Sequence, residues 1–98
     1  MNTTFYIILN MKTVNGFESY GRFSIGNDRN FAYRLFSMLK GVEASSEQDV
    51  LHMDLVETKD NLPVNIRVIN CTLEELTANC RLISKELFRT LNLETNRL

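Results

Sequence analysis

The residues of this chain best suited to chemistry are a histidine and an aspartate two positions apart, His52 and Asp54. They lie in a stretch where Leu51, Met53 and Leu55 alternate with other side chains, a pattern that predicts a β-strand. Residues two apart on a strand point to the same face of the sheet. Asp54 is therefore expected to orient His52 as a general base.

Further polar and aromatic side chains are predicted on the same face. Two arginines, Arg22 and Arg67, are suited to hold an anionic group through bidentate hydrogen bonds. The alternative interpretation is that Arg67 forms only a cross-strand ion pair with Asp54, which has small energetic value. The candidate catalytic residues are His52, Asp54 and Tyr20, and the candidate ligand-binding residues are Arg22, Arg67 and Asn65.

No motif of high chemical specificity supports an enzyme. The chain has no phosphate-binding glycine loop, no nucleophile elbow and no metal-binding spacing of histidine and cysteine. Cys71, Cys80 and the single histidine do not have the spacing of a zinc site, so no metal or cofactor is predicted. We expect both cysteines to be buried, inert thiols, and a non-enzymatic role is favoured over an enzymatic one.

Composition excludes several classes of partner. The 98 residues fit one domain, predicted over 1–98. Lys and Arg number 11 against 12 Asp and Glu, a net charge of −1, which argues against a nucleic-acid partner and against attraction to anionic membranes. No apolar run approaches the roughly 20 residues of a membrane span, and no basic leader precedes the first apolar stretch. A cytoplasmic protein is the resulting expectation.

The first half of the chain, about 4–42, predicts two strands and a helix. Residues 5–13 and 17–25 alternate in polarity around a turn. A three-residue loop over 14–16, with Gly16 in a left-handed conformation, places the apolar residues of both strands on one face. That register sets Phe5 opposite Ile25, Ile7 opposite Phe23, Leu9 opposite Gly21, Met11 opposite Ser19 and Lys12 opposite Glu18.

A helix is expected to follow, with Asn27 or Asp28 as its N-cap, and to run to about Lys40. Gly41 stands where a C-terminal glycine cap belongs. The apolar stripe of this helix is predicted to contain Phe31, Leu35, Met38 and Val42, which leaves Phe36 off the stripe.

The second half, about 50–92, repeats this plan after a polar linker at 43–49. Strands flank a two-residue Asp60-Asn61 loop, which sets Leu55 opposite Ile66 and Asp54 opposite Arg67. Thr72 and Glu75 form a capping-box pattern at the start of a second helix. The apolar stripe of that helix is Leu73, Leu76, Cys80, Ile83, Leu87 and Leu91, and the tail 93–98 is expected to fray.

The predicted fold class is α+β: two strand–strand–helix units (ββαββα), an internal repeat of pattern, with a four-stranded, mainly antiparallel sheet and both helices on one face. The other face is then open. It combines aromatic and apolar residues with arginines, types enriched at the centres of interfaces. The residues predicted to form the contact surface are Tyr6, Ile8, Tyr20, Val56 and Ile69.

Three interpretations of the open face remain. It is a solvated surface with scattered apolar residues, a homodimer contact in which two sheets stack, or a small-molecule site around His52 and Asp54. The hypothesis taken forward is a binding or assembly domain that acts as a homodimer. The alternative is a small-molecule-binding protein or enzyme using the same face.

Overall fold

The computed structural model describes residues 3–43 and 50–95, without the side chains of Tyr20 and of residues 91–95. Apart from Glu43, the predicted linker lies outside the described residues, as do residues 96–98 of the tail. Helix α2 runs to Thr95, so residues 93–95 are helical where a frayed tail was predicted. The elements are β1 (Thr3–Thr13), β2 (Gly16–Gly26), α1 (Arg29–Ser37), β3 (Leu51–Lys59), β4 (Leu62–Cys71) and α2 (Leu73–Thr95).

The strands form an antiparallel sheet in the order β2-β1-β3-β4. A fifth segment extends it, because Val42 and Asn70 exchange two backbone hydrogen bonds of 3.0 and 2.8 Å along the outer edge of β4. The α+β class, with an antiparallel sheet and two helices, is confirmed. The predicted sheet lacked the Val42 segment, since one bridging residue leaves no pattern in the sequence.

The hydrophobic core lies between one face of the sheet and both helices. Phe5, Ile7, Met53 and Leu55 are fully buried on the two central strands. They pack in one cluster with residues of both helices: Ala32, Leu35, Phe36, Leu76 and Ile83. The opposite face of the sheet is the open face.

The register of the first hairpin differs from the prediction. The loop is Val14-Asn15, with Thr13 paired to Gly16 and Lys12 paired to Phe17. Gly16 does adopt a positive φ of 104°. The extra residue lies within β2 at Tyr20, where the register shifts. Leu9–Gly21 and Ile7–Phe23 are therefore paired as predicted, whereas the partner of Met11 is Glu18 and that of Phe5 is Gly26.

The second hairpin has the predicted Asp60-Asn61 loop, with positive φ at both residues. Between Leu55 and Val56 the register then shifts, so that Leu55 faces Arg67 instead of Ile66. Side chains alternate along a strand, so one extra residue moves every later residue to the other face. Beyond Ile66, Arg67 and Ile69 consequently belong to the core face and Val68 to the open face.

Both helix starts follow their predicted caps. The Asp28 carboxylate accepts from the backbone N–H groups of Asn30 and Phe31 at 3.0 and 3.3 Å. Thr72 and Glu75 exchange the two hydrogen bonds of a capping box, at 2.9 and 3.1 Å. These contacts satisfy N–H groups that have no partner within the helix.

The end of α1 was predicted wrongly. The helix stops at Ser37 with Met38 as its C-cap, so Gly41 is not a helix cap. Met38 and Val42 are 48% and 61% exposed, whereas Phe36, predicted to lie off the stripe, is 1% exposed. An earlier helix end lets the chain turn and place Val42 beside β4.

A buried asparagine on α2 holds this chain reversal. Asn79 is 1% exposed. Its Oδ1 accepts from the backbone N–H of Lys40 at 2.8 Å, and its Nδ2 donates to the Lys40 carbonyl oxygen at 2.8 Å. Both main-chain groups of Lys40 thereby gain a partner where helix α1 no longer supplies one.

Candidate functional site

The open face is a grid of side chains set by the strand registers. One row crosses all four strands as Ser19, Asn10, His52 and Asn70, which we call the polar row. The next row is Arg22, Ile8, Asp54 and Val68, and the row beyond it is Ser24, Tyr6, Val56 and Asn65. Polar side chains thus fill the first of these rows, and the apolar side chains of the other two rows alternate with polar or charged ones.

His52 and Asp54 meet as the sequence predicts. His52 Nδ1 lies 2.7 Å from Asp54 Oδ1. The other carboxylate oxygen, Oδ2, accepts from Asn65 Nδ2 at 3.1 Å. The side chains of His52 and Asp54 are only 15% and 8% exposed. A carboxylate held by two donors in this way has one orientation, and it imposes one orientation on the imidazole.

Phe17 belongs to this group and was not predicted. Its ring meets the His52 imidazole edge to face, with centroids 4.4 Å apart. Phe17 is 54% exposed, so it forms a wall of the site and not part of the core. The predicted three-residue loop had placed it on the core face. An Asn-Gly pair flanked by strands is compatible with several loop lengths, and no residue in the sequence marks the shift at Tyr20.

The remaining predicted ligand-binding residues do not all lie beside His52. Asn65 is in the site through its bond to Asp54. Arg22 is on the open face, but its guanidinium lies 4.7 Å from the centroid of the Tyr6 ring, one row further from His52. A cation in this position is attracted to the ring face. The side chain of Tyr20, a candidate for catalysis and for the contact surface, lies outside the described residues.

Arg67 is not in the site, so its predicted pairing with Asp54 is wrong. Its guanidinium bonds to Glu43 at 2.8 Å and to the Ser37 hydroxyl at 3.0 Å, and lies 5.2 Å from the Phe36 ring centroid. It therefore joins β4 to the end of α1 on the core face. The register shift at Ile66 is the physical cause.

Only some of the residues predicted to form the contact surface lie on the open face. Tyr6 and Ile8 lie on the open face and are partly exposed. Val56 lies there too but is only 4% exposed, so a partner would bury little more of it. Ile69 is 3% exposed within the core cluster, and its assignment to the contact surface is wrong. Val68 takes the position on the open face that Ile69 was expected to occupy.

A separate groove of about 750 Å³ runs between the end of β2, the start of α1 and the second half of α2. Its charged groups already have roles within the chain. Asp28 caps α1, Arg89 bonds to Glu86 at 2.8 Å, and Arg34 lies over the Phe31 ring. The groove thus offers a ligand no uncommitted pair of charges.

The two cysteines are free thiols and partly buried. Burial raises the pKa of the Cys71 thiol to about 11, and burial also raises the pKa of Cys80. Since the thiolate is the reactive form, we expect iodoacetamide to modify Cys71 at pH 8 roughly a hundredfold more slowly than an ordinary cysteine. The rate should climb until the pH approaches 11. Mass spectrometry of quenched samples measures it, and fast labelling of Cys71 at pH 8 would contradict the prediction.

The described residues hold neither a group of metal ligands nor a membrane-spanning helix. Residues 3–43 and 50–95 contain no cluster of three or more histidine, cysteine or acidic side chains arranged to hold a metal ion. Within the same ranges, no helix is long and apolar enough to cross a membrane. Comparison with known protein families, curated proteins and solved structures found no match to this chain.

Proposed function

We propose that this protein is a binding or assembly domain that acts as a homodimer, with the open faces of two copies stacked against each other. The observation that carries the proposal is the partly exposed apolar side chains on the two rows beyond the polar row: Tyr6, Ile8 and Val68. No element within residues 3–43 and 50–95 covers it. Tyrosine beside arginine, as in Tyr6 and Arg22, is typical of residues that contribute most to interfaces.

The area of the open face also supports a second copy of the chain as the partner. Four strands about 4.8 Å apart and about 30 Å long present about 600 Å². Two stacked copies would bury about 1,200 Å², which lies at the lower limit for a specific interface. We therefore expect a dimer that dissociates on dilution.

The repeat is part of this proposal. We infer that the two halves, each a hairpin followed by a helix, use one pattern twice. The strand order supports this, since β1 and β3 lie side by side at the centre and β2 and β4 lie outside them. The helices differ in length, 9 and 23 residues, so the shared pattern does not extend to the length of the helix.

Replacing Tyr6 by glutamate tests the contact. The wild-type protein should elute with a mass of twice 11.4 kDa, and the variant with 11.4 kDa, in size exclusion with light scattering. Tyr6→Glu removes a large ring and puts a carboxylate beside Arg22, which compensates its charge in the monomer. Val14→Glu makes a similar charge change at a fully exposed turn and should stay dimeric. A wild-type monomer, or a dimer that survives Tyr6→Glu, would overturn the proposal.

A further inference from the structure

We propose that the end of the open face around His52 is a binding site for a small organic carboxylate, with His52 Nε2 taking up a proton from solvent and donating it to the carboxylate in a hydrogen bond. This inference goes beyond the homodimer: the site is open in a single copy, and a second copy stacked over the whole face would cover it. The site consists of His52, its orienting partners Asp54 and Asn65, the Phe17 wall and the adjacent Asn10 of the polar row.

The hydrogen bonds assign the tautomer of His52. An ionised carboxylate only accepts hydrogen bonds, so the 2.7 Å contact to Asp54 Oδ1 requires the proton on Nδ1. In the neutral ring, Nε2 then carries the lone pair. Because Asn65 occupies Oδ2 of Asp54 at 3.1 Å, the carboxylate cannot rotate away without losing a second bond.

Nε2 is the atom left for a ligand. No group within residues 3–43 and 50–95 bonds to it, and no buried side-chain nitrogen or oxygen in those ranges is without a partner. An unbonded Nε2 must therefore reach the surface. An acceptor nitrogen that is oriented by a carboxylate and open on its other side is the arrangement of a general base.

The groups around Nε2 favour a singly charged organic carboxylate as the ligand. When a carboxylate binds and Nε2 takes up a proton from solvent, the imidazolium lies between Asp54 and the ligand, so that its single positive charge faces two negative charges. A monoanion is tolerated in that position, whereas a dianion such as phosphate would be repelled by the Asp54 charge. The exposed ring of Phe17 offers an aromatic or aliphatic acid an apolar surface beside the imidazole. Asn10, opposite His52 on β1, carries an amide that can donate to a carboxylate.

The tautomer can be tested without a ligand. His52 is the single histidine of the chain, so long-range ¹H–¹⁵N correlation spectra report one imidazole. At a pH where the ring is neutral, we expect Nδ1 to be protonated and Nε2 to be the bare nitrogen. Asp54→Ala should return the ring to a mixture of tautomers. A wild-type ring protonated on Nε2 would overturn the proposal.

Benzoate is the probe for the site. We expect calorimetric titration of the monomeric Tyr6→Glu variant, in two buffers of different ionisation enthalpy, to show millimolar binding of benzoate with uptake of protons from the buffer. His52→Gln in this background should lose at least tenfold in affinity and the proton uptake. Inorganic phosphate should not compete. Binding without proton uptake, equal binding by His52→Gln, or no binding at all would each overturn the proposal.

One variant separates this proposal from the homodimer. Tyr6→Glu lies two rows from His52 and should become monomeric while it still binds benzoate. If Tyr6→Glu stays dimeric but binds benzoate, the homodimer proposal fails alone. If it becomes monomeric and also ignores benzoate, the acid site fails alone.

Discussion

Replacing Asn79 by alanine is expected to lower the free energy of unfolding by about 3 kcal/mol. The variant removes both 2.8 Å bonds to the main chain of Lys40 and leaves an N–H and a carbonyl group without their strongest partners. Each buried group left unsatisfied costs roughly 1–3 kcal/mol. Urea denaturation should show a lower midpoint with an unchanged slope.

The control for this variant lies on the same helix. Thr77 is exposed, and its hydroxyl bonds only to the carbonyl of Leu73 one turn earlier. Thr77→Ala should therefore change stability by less than about 0.5 kcal/mol. If Asn79→Ala costs no more than Thr77→Ala, the contact with Lys40 does not hold the chain reversal.

Replacing Gly41 by alanine is expected to cost about 2 kcal/mol, because the new methyl group has no space. A Cβ at Gly41 would lie 2.8 Å from the carbonyl oxygen of Asn70 and 3.2 Å from Ile69. The oxygen belongs to the backbone of β4 and to the bridge with Val42, so it cannot move without breaking that bridge. Overpacking of this kind costs roughly 1–3 kcal/mol.

An alanine substitution at a second glycine measures the cost of the backbone conformation without a steric clash. Gly26 has a φ of 97°, yet a Cβ there would meet nothing within 4 Å. Gly26→Ala should thus show only the cost of the left-handed conformation, roughly 1–2 kcal/mol. Hydrogen exchange distinguishes the two: Gly41→Ala should expose the Val42 and Asn70 amides, whereas Gly26→Ala should leave them protected. Equal protection of both amides in the two variants would contradict the role given to Gly41.

The histidine–aspartate pair at the centre of the candidate site could be predicted from the spacing of its two residues in the sequence. His52 and Asp54 are two apart on one strand, and no change of register along β3 separates their faces. Asp28, Thr72 and Glu75 were equally local, since a capping side chain bonds to backbone only two or three residues away. The Asp60-Asn61 loop was local too, because both residue types tolerate a positive φ.

The residues that were placed wrongly all depend on contacts between distant segments. Arg67 and Ile69 changed faces because β4 carries an extra residue at Ile66, and Phe17 joined His52 because the extra residue of β2 lies at Tyr20. Phe36 and Val42 exchanged their expected burial because α1 ends where Asn79 binds Lys40. In each case the local sequence pattern fits more than one arrangement, and the observed one depends on contacts with another element.

Alternation, capping and turn residues in this sequence determine two hairpins, two helix starts and a histidine–aspartate pair on one strand. The tertiary structure decided which side chains surround that pair. Asn65 and Phe17 come to it from other strands, and Arg67 is carried to the opposite face. The physical reason is that a one-residue shift in a strand reverses the facing of every residue beyond it, and only the packed sheet determines where that shift occurs.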